Sequence, residues 1–427
     1  MFKMLTLATA LLSLTPAMTW AQDVEIRFSW WGGNSRHQAT LSAIKAFEEK
    51  YPNINVKAEY AGWEGYLSRL TTQIAGNNAP DVIQTNWNWL PIFSKDGNGF
   101  YDLNQAADVL DLTQYDNQSR AQLTINGKLN GIPVAATARS FYYNKKLWEE
   151  TGVAYPNSWD ELKAAGQAFQ KKGDNYYPLV LDYMESLTLL QSYMVQKYNI
   201  AAIDEEKKQF NYSSEQWVEF FQLYKDLIDS HVFPSMRILS SYGKSNTWEM
   251  RPWIEGKWGG VYMWNTNAIM YENNLKPPYN KLELGNFFML PGAKDAGLFF
   301  KPTMMFSIGK NTKHPKEAAL LINFMMNDPA GVKAMGLERG VPLSQTAYNQ
   351  LVLDGTIKDD SIVVSGIKSS MKLPHDIATS PHFDNPQFVA LYHETIQSID
   401  QGSMSVKQAA EHFSKGSDRI LKRAMRE

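Results

Sequence analysis

The 427-residue sequence contains no cysteine. That excludes disulfides and any lipid anchored through an N-terminal thiol. Long apolar runs are also scarce: past residue 21 nothing approaches the ~20 uninterrupted apolar residues of a spanning helix. An excess of one charge is missing too. The chain has 42 Lys and Arg against 44 Asp and Glu, a net charge of −2, which gives no electrostatic reason to expect nucleic acid or an anionic membrane surface as partner. The motifs Gly-x-Ser-x-Gly, His-Glu-x-x-His and Gly-x4-Gly-Lys-Ser/Thr do not occur, so their hydrolytic, zinc and phosphate-loop chemistries have no foothold. Internal repeats and low-complexity linkers are absent as well.

What is present is length and aromatic surface. The chain is long enough for two or three domains with large cores, and aromatic residues make up 13%, with 13 tryptophans. The first 21 residues read as a secretory signal: Lys3, an apolar run broken by Pro16, and small residues at Thr19 and Ala21. Removing them takes away one lysine and no acid, leaving 41 basic against 44 acidic residues. Export without disulfide or lipid anchor predicts the periplasm of a Gram-negative cell.

Val24, Ile26, Phe28 and Trp30 alternate with Glu25, Arg27 and Ser29, a strand pattern of period two. A helix is expected from Arg36 with Ala39, Ala43, Ala46 and Phe47 on one face. "NINVKAEY" alternates again, "EGYLSRLTTQIAG" reads as a second helix, and "VIQT" as a third strand. Strand, helix, strand, helix, strand predicts parallel pairing with right-handed crossovers, and ligands on such sheets bind beyond the carboxyl ends of the strands. Further on, "NGKLNGIPVAATARSFYYNKKLW" reads as extended, Ser158 to Glu161 as a capping box, and Pro315 as a helix start.

The segments "AFEEKYPNINVKAEY", "LTTQIAGNNAPDVIQTN", "NGKLNGIPVAATARSFYYNKKLWEETGVAYPNSWDEL", "EGKWGGVYMWNTNA" and "FSIGKNTKHPKEAALLINFMM" occur in the order and spacing of one family. The chain resembles the family 1 extracellular solute-binding proteins of ATP-binding-cassette sugar importers, and within them most the oligogalacturonide-binding proteins of pectin catabolism. The resemblance implies an α/β fold of two lobes, maltose-binding-protein-like, with parallel-rich sheets flanked by helices and the ligand in the cleft between. It places one lobe at residues 22–125 and 298–333 and the other at 126–297 and 334–427. It also implies a monomer that delivers ligand to transmembrane permease subunits, without cofactor, metal or catalysis.

A sugar ring has an apolar face that suits flat aromatic walls, and hydroxyls that suit amides and charges. Trp31 and Asn34, beyond the first strand, fit both tasks, whereas Trp30 continues the buried face. Gly32 and Gly33 serve either a plain turn or a close approach to ligand. Arg36 and His37 stand where a helix dipole disfavours cations, so they either pair with an acid or project over the cleft. Trp63 follows the second strand, and Asn86 and Trp87 follow the third. Trp89 reads as core. By resemblance, Trp264 is the family's cleft tryptophan; Arg139 and Lys301 lie where the chain passes between lobes. Many relatives carry a small residue in place of Lys301, so an acidic ligand would explain it, and so would a neutralising surface acid.

Trp248, Trp253 and Trp258 read as packing, and Tyr142 and Tyr143 as a structural strand. His375 and His382 read as a loop at the cleft rim. The expected ligand is an acidic oligosaccharide, most simply a short oligogalacturonide. A neutral oligosaccharide is the alternative within the class. A pectin glycosidase or lyase is the alternative outside it, though it would need a carboxylate pair, and Glu64 and Asp81, the nearest acids, read as surface or turn.

Overall fold

The structure, a computed structural model, describes residues 23–243, 246–358 and 360–425; the expected signal segment lies outside them. The opening alternation is realised as β1 (Val24–Trp31), α1 (Asn34–Lys50), β2 (Ile54–Ala61), α2 (Tyr66–Ala75) and β3 (Val82–Thr85). β1 pairs in parallel with β2, Val24 opposite Ile54 through Trp31 opposite Ala61, and with β3 on its other edge. Being central, β1 is covered on both faces: Ile26, Phe28 and Trp30 are buried on one, Ser29 and Trp31 on the other.

Two long strands extend this sheet antiparallel. Phe300–Ile308 pairs with β3 and also with Ile132–Asn144. The latter strand is buried throughout its 13 residues. Its first half meets Phe300–Ile308, and its second half, Arg139–Tyr143, meets Gly260–Trp264. Leu282–Leu284 closes that edge.

The buried apolar residues fall into two cores. One runs from Ile26 to Ala138 and from Ala296 to Ile367, Phe299 excepted. The other holds Phe141 to Phe288, Phe299, and Phe383 to Met425. Residues 335–367 thus pack with the first core, whereas the sequence suggested a change of lobe after 333. The cause is local: the helix Pro329–Met335 lies against α1, and Ala135 bridges to Pro342, which keeps the following chain on that side.

Second-core helices begin as their sequences suggest. Ser158 accepts from the Glu161 N–H, although the reciprocal arm of Glu161 goes to the Asn157 N–H. Trp253 and Trp258 are fully buried, Trp248 packs against the same core with its ring edge-on to Tyr271, and Tyr142 and Tyr143 are core side chains. Among the described residues no helix is long and apolar enough to cross a membrane.

Candidate functional site

The carboxyl ends of β1, β2 and β3 carry an aromatic wall. Trp31 stands edge-on to Trp63, with centroids 5.3 Å apart, and packs on Tyr66 and Trp89 at 5.1 and 5.2 Å. Trp63 stacks on Trp89 at 5.6 Å. Only Trp63, 56% exposed, presents a broad free surface; Trp31 is 7% exposed and acts as its backing. The Tyr66 hydroxyl fixes the wall by donating toward the carbonyls of Ser29 and Gln84.

The turn after β1 needs Gly32 for a packing reason. A Cβ there would lie 2.6 Å from the Arg36 side chain, which folds back across it. Arg36 donates from Nε to the Glu338 carbonyl at 3.0 Å and from Nη1 to the Trp31 carbonyl at 3.3 Å. It neither pairs with a carboxylate nor reaches freely over the cleft, so the sequence expectation is corrected: it clamps backbone. His37 also departs from expectation. Its Nδ1 accepts from the Trp30 indole N–H at 3.1 Å and its ring lies 4.5 Å from that of Tyr60. Burial, and then the charges of Arg339 and Arg36, lower its pKa, so it presents a neutral imidazole where the sequence suggested a cation. Asn34 is exposed at the first position of α1.

A second group forms where the two cores meet. Half-buried Asn86 leads into the short turn Trp87–Trp89. Trp87 is 1% exposed, and the Lys301 ammonium lies 5.7 Å from its ring and 5.0 Å from that of Trp264. Arg139 sits 4.6 Å over Trp264, its strand partner, and donates weakly to the Tyr262 carbonyl. Lys301 forms an ion pair with Asp384. The neutralising acid that the sequence allowed as one explanation is thereby supplied from within the chain, 83 positions away. Three buried polar atoms around this cluster have no partner: Trp87 Nε1, Arg139 Nε and Asp384 Oδ1.

The sequence profile of the bacterial extracellular solute-binding proteins matches residues 33–332. The chain belongs to that family. Among solved structures, a periplasmic oligogalacturonide-binding protein from Yersinia enterocolitica is 58% identical, with 94% of this chain and 100% of that chain covered and a TM-score of 0.91. The same protein in complex with saturated digalacturonic acid is 59% identical at the same coverage, with a TM-score of 0.78. A third, a de novo designed cysteine esterase, ECH19, is 57% identical over 95% of this chain and all of that one, with a TM-score of 0.93. The present chain has no cysteine with which to do the same.

In this solute-binding chain the sequence missed Glu185 and the pairing of Asp384 with Lys301. Glu185 is buried, accepts from the Asp182 N–H and from the Tyr271 hydroxyl, and stands within the field of Arg139. Burial raises its pKa to about 8. The available signal was Asp182-x-x-Glu185, a capping box ahead of an apolar helix, which says nothing of the cation opposite.

A cavity of about 790 Å3 also lies between residues of both cores, including Leu90, Gln122, Ile203, Ile377 and His382, but none of the ten candidate residues lines it. Asp81 is engaged with the Arg27 N–H and the Thr312 hydroxyl, and Glu64 is exposed. His375 bonds the Leu373 carbonyl, whereas His382 faces Glu205 at 3.8 Å. Among the described residues no group of three His, Asp or Glu side chains is arranged to hold a metal.

Proposed function

We propose that this chain is the periplasmic binding component of an ATP-binding-cassette importer, and that it captures short oligogalacturonides by closing its two lobes. The observation that carries the reading is the junction itself. Two tryptophans and two cations meet there beside three unpartnered buried polar atoms, and buried polar groups without partners are rare in folded proteins. A ligand with flat C–H faces, hydroxyls and a carboxylate supplies all that is lacking: faces for Trp87 and Trp264, an acceptor for the two N–H groups, a donor for Asp384. The Yersinia relative supports the choice of ligand. The exposed face of Trp63 provides a further platform at the end of β2. Asn34 and Asn86, at the strand ends, are amides suited to ring hydroxyls. A 1% exposed Trp87 offers its face only when the junction opens.

The Lys301–Asp384 pair favours a second reading, a neutral oligosaccharide, because that cation is already balanced. Calorimetric titration separates the two, with digalacturonate and trigalacturonate set beside maltose, cellobiose and neutral galactose oligomers. Saturable binding of the uronates alone is expected, and Lys301→Ala should weaken it about tenfold or more, the loss of one charge-assisted hydrogen bond. Binding of a neutral sugar in their place would overturn the acidic ligand and leave a sugar carrier. Shortened chains after incubation would overturn binding without catalysis.

A further inference from the structure

Behind the Trp31 wall lies an arginine that the proposed site does not use. Arg339 is 5% exposed, and its hydrogen-bond partners are all uncharged: Nε donates to Gln84 Oε1 at 2.8 Å, Nη2 to Thr40 Oγ1 at 3.0 Å, and Nη1 lies 3.7 Å from Met335 Sδ. Its guanidinium also packs 5.4 Å from the Phe306 ring. Among the described residues neither Arg339 nor the neighbouring Arg36 forms an ion pair. The nearby acid, Glu338, gives its carboxylate to the Ser35 hydroxyl at 2.8 Å and its backbone carbonyl to Arg36.

Burial, and then repulsion from Arg36, lower the Arg339 pKa to about 9. The field of Glu338 offsets this only in part, so the charge survives at neutral pH with no carboxylate bonded to it, an arrangement that burial penalises heavily. Gln84 passes the contact on, since its amide donates to the Trp31 carbonyl at 3.2 Å, the same oxygen that receives Arg36.

We propose that Arg339 is a specificity-determining residue: a buried cation without an ion-pair partner that holds a positive field behind the strand-end wall and favours an anionic ligand there without touching it. In a dry interior a fixed charge acts at longer range and with less salt screening than one on the surface. Placing it behind the wall leaves the aromatic faces free for sugar rings. The inference rests on the acidic-ligand reading above.

The test compares digalacturonate with its dimethyl ester, which keeps the rings and removes the charge. Two variant pairs are used. Arg339→Met removes the cation and Arg339→Lys keeps it; Met335→Glu places a carboxylate beside the guanidinium, and Met335→Gln has the same shape without charge. Arg339→Met and Met335→Glu should lower affinity for digalacturonate about five- to tenfold and leave the ester unaffected, while Arg339→Lys and Met335→Gln retain the wild-type preference. Equal losses for acid and ester would make Arg339 a purely structural residue and overturn the proposal, as would an unchanged preference in Met335→Glu. A wild-type protein that does not prefer the acid would instead bring down the ligand reading, and this inference with it.

Discussion

Glu185 and Trp31 show how much a side chain's chemistry depends on partners far along the chain. Glu185 titrates near 4.5 in an unfolded chain and at about 8 in the fold. Because the folded pKa is the higher, the neutral acid is fully accommodated below the unfolded value. That stability is lost as pH rises toward 8, on the order of 1 kcal/mol per pH unit in between. Glu185→Gln keeps an acceptor for the Asp182 N–H and an amide for the Tyr271 hydroxyl. Its melting temperature should therefore match wild type near pH 4.5 and exceed it increasingly up to pH 8. A difference independent of pH would show that Glu185 is not held neutral. Trp31 carries the opposite lesson. Period-two alternation correctly set Trp30 inside, yet Trp31 is buried too, because alternation in one strand is blind to the layer on its other face. Lys301 and Asp384 were both visible as residues; their pairing was not, since no local pattern reports a contact across 83 positions.

Among the elements, the succession β1–α1–β2–α2–β3 was legible with its parallel pairing, because each piece carries its own periodicity and short crossovers admit few topologies. The join of Phe300–Ile308 to β3 was not, being made more than 200 positions apart. Nor was the helix Ile362–Met371, which lies across the strand shared by both halves. Val364 and Ile367 belong to the first core and Ile362 packs on the second, while the Ser140 and Ser370 hydroxyls bond each other at 3.0 Å. Its close approach depends on Gly366. A Cβ there would stand 2.1 Å from the Tyr142 hydroxyl and 3.0 Å from the Asn265 Cβ. Tyr142 is wholly buried and cannot swing clear. Gly366→Ala should therefore destabilise by about 1–3 kcal/mol, the usual cost of overpacking, in denaturant unfolding followed by tryptophan emission. A neutral result would mean that this helix is free to shift against the shared strand.

At the scale of the whole molecule, the candidate junction lies where the two cores meet. The turn Trp87–Trp89, on the first-core side, meets the turn Pro381–Asp384, whose Phe383 belongs to the second. The strand Ile132–Asn144 runs through both halves as a hinge would, and Phe299, packed in the second core, leads directly into Phe300–Ile308 in the first, so few residues are there to absorb a rotation. A ligand that touches both halves binds the closed arrangement better and so shifts the population toward it. A compact chain of about 400 residues has a radius of gyration near ~21 Å. The free protein should exceed that in solution X-ray scattering, and saturating digalacturonate should bring it down toward that value while cellobiose leaves it unchanged. Binding by calorimetry with no change in scattering would mean that the ligand settles on one half alone, and Trp87 and Trp264 would then have to be assigned to packing between rigid lobes.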